Sequence, residues 1–114
     1  MTPMEESLPS TQRDALLELQ RIPNVGPATA RDLLRLGVRR LDDLAEREAR
    51  DMYDTLCALD GVLHDICMLD VFTAVVSYAR GDQSRPWWTY TAERIAAERR
   101  HRSAGGPEAA DATA

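Results

Sequence analysis

The sequence predicts an all-α fold, one compact domain of five or six short helices, and three observations carry that expectation. Apolar residues recur at three- and four-residue intervals over most of the chain. Glycine and proline punctuate those stretches where helices stop and start, and no apolar–polar alternation is long enough for a strand. With 44% apolar residues but one Phe, two Trp and three Tyr, aliphatic side chains must supply most of the burial, and 114 residues close one modest core.

Residues 1–9 are polar, contain two prolines and read as a flexible leader; the domain spans 10–102. Ser10 or Thr11 caps a first helix with Ala15, Leu16, Leu19 and Ile22 on its inner face, and Pro23 stops it. A second helix starts with Pro27 at its first position, where the missing N–H costs nothing, and runs to Gly37 as a left-handed cap. Leu41, Leu44 and Ala45 mark a brief third helix. A fourth, Ala49 to Leu59, turns Met52, Tyr53, Leu56 and Leu59 inward and ends at Gly61. Asp65 caps the most apolar helix, with Ile66, Leu69, Phe72, Val75, Val76 and Ala79 inward and Gly81 as its stop. Arg85 to Tyr90 interrupts the helical pattern with an aromatic pair that pins the last element down, and Thr91 caps a sixth helix, Ala92 to about His101. From Ser103 the chain holds Ala, Gly, Pro and acid, and this tail, 103–114, is expected to be disordered.

The net charge of −5 argues against a general nucleic-acid coat protein, yet its distribution is uneven. Residues 21–40 sum to +4 and 85–102 to +3, against −3 for 1–20, −7 for 41–82 and −2 for 103–114. All fourteen basic residues are Arg, compatible with phosphate contact but equally with codon bias. The start of the chain lacks a secretory signal and no stretch is long enough to span a membrane, so the expected location is cytoplasmic. Cys57 and Cys67 are then expected as free thiols.

The informative stretch is Leu19 to Gly37. Pro23, Asn24, Val25 and Gly26 form a tight turn that delivers the chain into a helix whose first N–H groups are unpaired, a positive pocket for one phosphate. Gly26 offers no side chain to obstruct that approach, the Ala28 segment lies at the helix start, and the Thr29 hydroxyl adds a donor. Val25 plugs the hairpin into the core, Ala30 and Leu33 allow close helix packing, and Arg31 and Arg35 project further positive charge.

These residues resemble the helix-hairpin-helix motif of DNA repair and recombination proteins. With Gly37 to Leu44, Tyr53, Leu56, Cys57, the run Gly61 to Gly81 and Trp87-Trp88, the likeness extends from about Leu17 to Tyr90. It is to the small bacterial helix-hairpin-helix proteins named for a pathogenicity locus, some labelled mitomycin resistance proteins. A looser similarity is to the C-terminal domain of TfoX-type competence regulators. The resemblance implies the fold and, by analogy, association with nucleic acid. Asn24 departs from the first glycine usual in the motif and Ala28 from the basic residue that often follows Gly-Pro, which implies low affinity. Leu59 to Leu63 reads as a second, degenerate hairpin: Leu63 replaces a glycine, Asp60 and Asp65 add negative charge, and its role is to support the first.

Competing readings attach to several residues. Cys57, His64, Cys67 and Asp65 could meet as soft metal ligands, but the spacing matches no strong zinc pattern, and a Cys nucleophile with His64 as base lacks an orienting third group. Trp87, Trp88 and Tyr90 could stack on unpaired bases, though at least one Trp is expected in packing. The basic helix from Arg94 to Arg102 is either a second phosphate contact or a solvated face. The expectation is therefore weak, non-sequence-specific binding to duplex or branched DNA through backbone phosphate, in DNA repair, recombination or stress response. Catalysis, cofactor, metal, small-molecule substrate and membrane have no place in it. The competing class is a non-enzymatic protein-interaction adaptor that has lost DNA binding.

Overall fold

The computed structural model describes residues 10–104, and every regular element in them is an α-helix: α1 (Ser10–Leu19), α2 (Pro27–Arg35), α3 (Leu41–Leu44), α4 (Ala49–Asp60), α5 (Cys67–Ala79) and α6 (Trp87–Ala104). None of these helices is long and apolar enough to cross a membrane. The leader 1–9 and the tail beyond Ala104 lie outside the described residues, and α6 runs past the expected end near His101.

Three helices stop as the glycines foretell. At Gly37, Gly61 and Gly81 the backbone turns left-handed, with φ of +88°, +67° and +101°. At each, the next residue's N–H reaches back five residues, as in Val38 N–H to Leu33 O at 2.9 Å and Val62 N–H to Cys57 O at 3.2 Å. This satisfies carbonyls that a helix end otherwise leaves orphaned.

The core sits around α5, whose Leu69, Phe72, Val75 and Val76 are buried together with Leu16 and Leu19 of α1, Ala30 and Leu33 of α2, Leu44 of α3, and Met52, Tyr53 and Leu56 of α4. α5 packs on α3, α4 and α6, and α1 packs on α2. Arg80, at the end of α5, donates to Ala45 O at 3.0 Å and Arg47 O at 2.8 Å, tying down the α3–α4 connection.

Two expectations about this core need correction. Leu59 and Ile66, taken as inward by helical spacing, are 55% and 37% exposed. Leu59 lies in the last turn of α4 and Ile66 just before α5 begins, so both stand at the α4–α5 turn, beyond the packed faces of the two helices. The start of α6 is also earlier than expected. Helix begins at Trp87, because Pro86 supplies a carbonyl to Thr89 N–H at 3.0 Å and a side chain from a distant turn caps Trp87.

Candidate nucleic-acid interface

The turn between α1 and α2 follows from its four residues. Val25 N–H donates to Ile22 O at 3.1 Å, closing a turn with Pro23 in the second place and Asn24, at φ +75°, in the third. That is the pattern of a type II turn, in which proline presets one φ and the next residue must turn left-handed. Asn bears this better than other residues with a Cβ. Val25 is buried, the plug the sequence foresaw, and Ile22 beside it is buried although α1 has already ended.

Gly26 then stands in extended backbone (φ −96°) as the residue before α2, with Pro27 at the first helical position. Its carbonyl accepts Ala30 N–H at 2.9 Å. The N–H groups of Gly26, Ala28 and Thr29 have no hydrogen-bond acceptor among the described residues. Gly26, Pro27 and Ala28 are exposed and Thr29 half-buried, so three amide dipoles at a helix start open to solvent. A Cβ built on Gly26 meets nothing within 4 Å. Its glycine is thus not demanded by internal packing, and the space in front of it is open.

Asn24 has a role that the sequence does not suggest. Its Nδ2 donates to Arg85 O at 2.8 Å and its Oδ1 accepts Trp87 N–H at 3.1 Å. One side-chain amide therefore holds the approach to α6 and caps its first turn. Asn24 is occupied in holding the hairpin against α6 and is not a free phosphate donor.

The two arginines expected to add charge are both committed. Arg31 is half-buried and already engaged. Arg35 makes a short ion pair with Asp60, at the end of α4, and lies 3.5 Å from Asp32. Hydrogen bonding to Arg35, then to His64, holds the Asp60 carboxyl below the usual carboxylate range, whereas burial pushes Asp32 up. Arg39 and Arg40, just beyond α2, are exposed.

The second hairpin differs throughout. His64 Nε2 lies 2.6 Å from Asp60 Oδ2, and the buried Tyr53 hydroxyl donates to His64 O. His64 N–H donates to Cys57 Sγ at 3.3 Å, and Asp65 Oδ1 accepts Cys67 N–H at 2.9 Å. The ring of His64 thus serves Asp60 while the Cys57 sulfur takes its backbone amide. Hydrogen bonding with Asp65, reinforced by burial, pushes the Cys67 thiol up, away from a reactive thiolate. Cys57 and Cys67 are free thiols. No group of three or more His, Cys, Asp or Glu among the described residues is arranged to hold a metal.

Most of what fixes α6 was not visible in the sequence. Asp70, in the first turn of the apolar α5, is 1% exposed. It accepts from Arg94 Nε at 2.9 Å, from Arg94 Nη2 at 3.2 Å and from the Thr91 hydroxyl at 2.6 Å. Thr91 and Arg94 are one turn apart on α6, and an acid inside an apolar helix is the only local sign of such a clamp. Arg94 is therefore a structural residue, while Arg99, Arg100 and Arg102 are exposed. Of the aromatics, Tyr90 is buried under the Arg85 guanidinium, 4.4 Å from its ring. Trp87 is half-buried and meets Trp88 edge-on at 5.9 Å, with Trp88 exposed.

Comparison with known proteins gives this architecture a family. The sequence profile of the Pathogenicity locus family matches residues 12–96. The chain belongs to that family. A curated relative of this pathogenicity-locus protein, the mitomycin resistance protein McrB of Streptomyces lavendulae, is 36% identical over 91 residues, which cover 78% of this chain and 87% of McrB. A shorter likeness, 45% identity over 47 residues, links 41% of the chain to 13% of DNA polymerase IV of Halorhodospira halophila. No solved structure matches.

Proposed function

We propose that this protein binds DNA weakly and without sequence preference, holding one backbone phosphate at the start of α2, and that it performs no catalysis. The observation that carries the reading is the set of unpaired Gly26, Ala28 and Thr29 amides, open to solvent behind a residue without a side chain. A phosphate oxygen is the natural partner for such a helix start. The hairpin is braced by buried Val25 and by Asn24 on α6, so binding would not have to order it first.

Contacts of this kind position a protein on a nucleic-acid backbone and carry no base information. Local likeness to a protein named as a DNA polymerase supports nucleic acid as the ligand, and a relative named for mitomycin resistance fits a place in DNA repair, recombination or stress response. With Arg35 neutralised by Asp60, the site offers little positive charge beyond its amides. With one phosphate at the amides and about one more met by the exposed Arg39 or Arg40, log affinity should fall against log salt with a slope near −2, and Kd should lie around 10⁻⁴ to 10⁻⁶ M.

A fluorescence-anisotropy titration against single-stranded, duplex and branched DNA tests this, with Gly26→Ala as the probe. The φ and the free space at Gly26 accept a methyl group without strain, so the variant should keep its fold and lose affinity. A second reading, an adaptor for another protein without DNA affinity, is favoured by the exposed apolar residues of the α4–α5 turn. The absence of binding to every DNA form at low salt would select it.

A further inference from the structure

Among the large apolar side chains that the described residues leave exposed, the one aromatic is Trp88, at 61%. Its ring meets Trp87 edge-on, with the two planes at 80°, and such a contact covers at most one face of the indole. Trp87 is half-buried and Tyr90 is buried under the Arg85 guanidinium. Of the three aromatics at the start of α6, Trp88 is therefore the one that turns a flat apolar face to solvent.

The place of this ring is fixed relative to the first hairpin. Asn24 Oδ1 accepts Trp87 N–H at 3.1 Å and Asn24 Nδ2 donates to Arg85 O at 2.8 Å, so the hairpin turn sits on the N-terminal end of α6. Trp88 is the second residue of that helix, and helical side chains lean toward the N-terminal end, here toward the hairpin. Gly26 follows Asn24 by two residues, no more than about 7 Å of chain. The open amides and the open indole thus lie within the span of a few nucleotides of one strand.

The part of a nucleic acid that fits an aromatic face beside a phosphate site is the face of a base, and such stacking is indifferent to which base it is. Inside a duplex both faces of a base are covered by its neighbours, and exposing them costs unstacking and unpairing; an unpaired base offers them freely. We propose that Trp88 stacks on an unpaired base of the strand whose phosphate is held at the start of α2, so that the protein prefers DNA with single-stranded segments to continuous duplex. The inference rests on the phosphate reading and adds to it a choice of DNA structure, with no sequence preference.

The test is an anisotropy titration of the full chain against three DNAs built on one duplex. The first is blunt, the second carries short overhangs at both ends, and the third has those overhangs made abasic, which keeps their phosphates and removes their bases. The overhung duplex should bind about tenfold more tightly than the blunt one, and the abasic form close to the blunt one. Trp88→Ala should erase the preference while leaving the blunt-duplex affinity and the melting temperature unchanged, and Trp88→Phe should retain part of it. Gly26→Ala should weaken binding to all three alike. Equal affinity for overhung and blunt duplexes, abasic overhangs that bind as tightly as intact ones, or a Trp88→Ala variant that keeps the preference overturns the proposal and leaves the phosphate reading standing. No binding to any of the three removes both.

Discussion

The turn from α1 into α2 and the turn from α4 into α5 solve the same geometric problem with opposite surface chemistry. In the first, a Pro-Asn turn buries Val25 and leaves the Gly26, Ala28 and Thr29 amides facing solvent. In the second, the amides of Gly61, Val62, His64 and Cys67 are accepted locally and those of Leu63, Asp65 and Ile66 have no acceptor among the described residues, while carboxylates and four apolar side chains face out. A hairpin between helices thus does not by itself make an anion site. What matters is what stands beside the open amides: carboxylates of Asp60 and Asp65 and large apolar side chains at the second turn, and at the first a residue with no side chain. The Arg35–Asp60 pair joins the second turn to the far end of α2, so the acidic hairpin also draws positive charge away from the helix that bears the open amides.

The largest effect should come from separating α6 from this arrangement. Arg94→Ala leaves Asp70 buried without its cation and should cost about 3 kcal/mol of stability, read from chemical denaturation. Hydrogen exchange should show protection lost around the first hairpin, which Asn24 ties to α6, and retained in the second. Uniform loss in both would break the distinction. Next, Asn24→Ala removes two hydrogen bonds and places a Cβ residue without a polar side chain at φ +75°, for about 2 kcal/mol. Asn24→Gly relieves the backbone but not the lost bonds and should cost about half as much. Equal losses would mean that the backbone conformation contributes nothing.

The smallest effect concerns the bridge from the second turn to the end of α2. Asp60 has its carboxyl pKa lowered in the folded protein, so its contribution is present above the unfolded value and is lost as pH falls through and below about 4. Asp32, raised by burial, works in the opposite direction. Asp60→Asn should therefore lower the melting temperature slightly at neutral pH and make its decline on acidification shallower. An unchanged acid profile would show that the bridge is not energetically coupled to folding.

How far the sequence could be read depends on the range of the interaction. Gly37, Gly61 and Gly81 were legible as helix stops because the left-handed turn is a property of the residue itself. Pro27 at a helix start and Val25 as a plug were legible from immediate neighbours. The Asn24–Trp87 cap spans 63 positions and the Arg35–Asp60 pair 25, and neither leaves a local pattern. The Leu19 to Gly37 stretch therefore pointed to a hairpin, but Asn24 and Arg35 were assigned to a ligand when the fold itself employs them. Leu59 and Ile66 were misplaced for a related reason. Helical spacing was carried to the very ends of both helices, whereas Leu59 lies in the last turn of α4 and Ile66 just before α5 begins, where little packs over them.

The central claim is that open amides, more than arginines, make the first turn an anion site. The most direct measurement is the salt dependence of duplex DNA binding for the wild type, Gly26→Ala and Arg35→Ala, each checked for fold by circular dichroism. The wild type should bind at low salt with a log–log slope near −2. Gly26→Ala should lose most of the affinity, while Arg35→Ala should retain it with the slope almost unchanged, because that guanidinium is already held by Asp60. Folded wild type that binds no DNA at low salt, or an Arg35→Ala variant that loses binding while Gly26→Ala keeps it, would contradict the account.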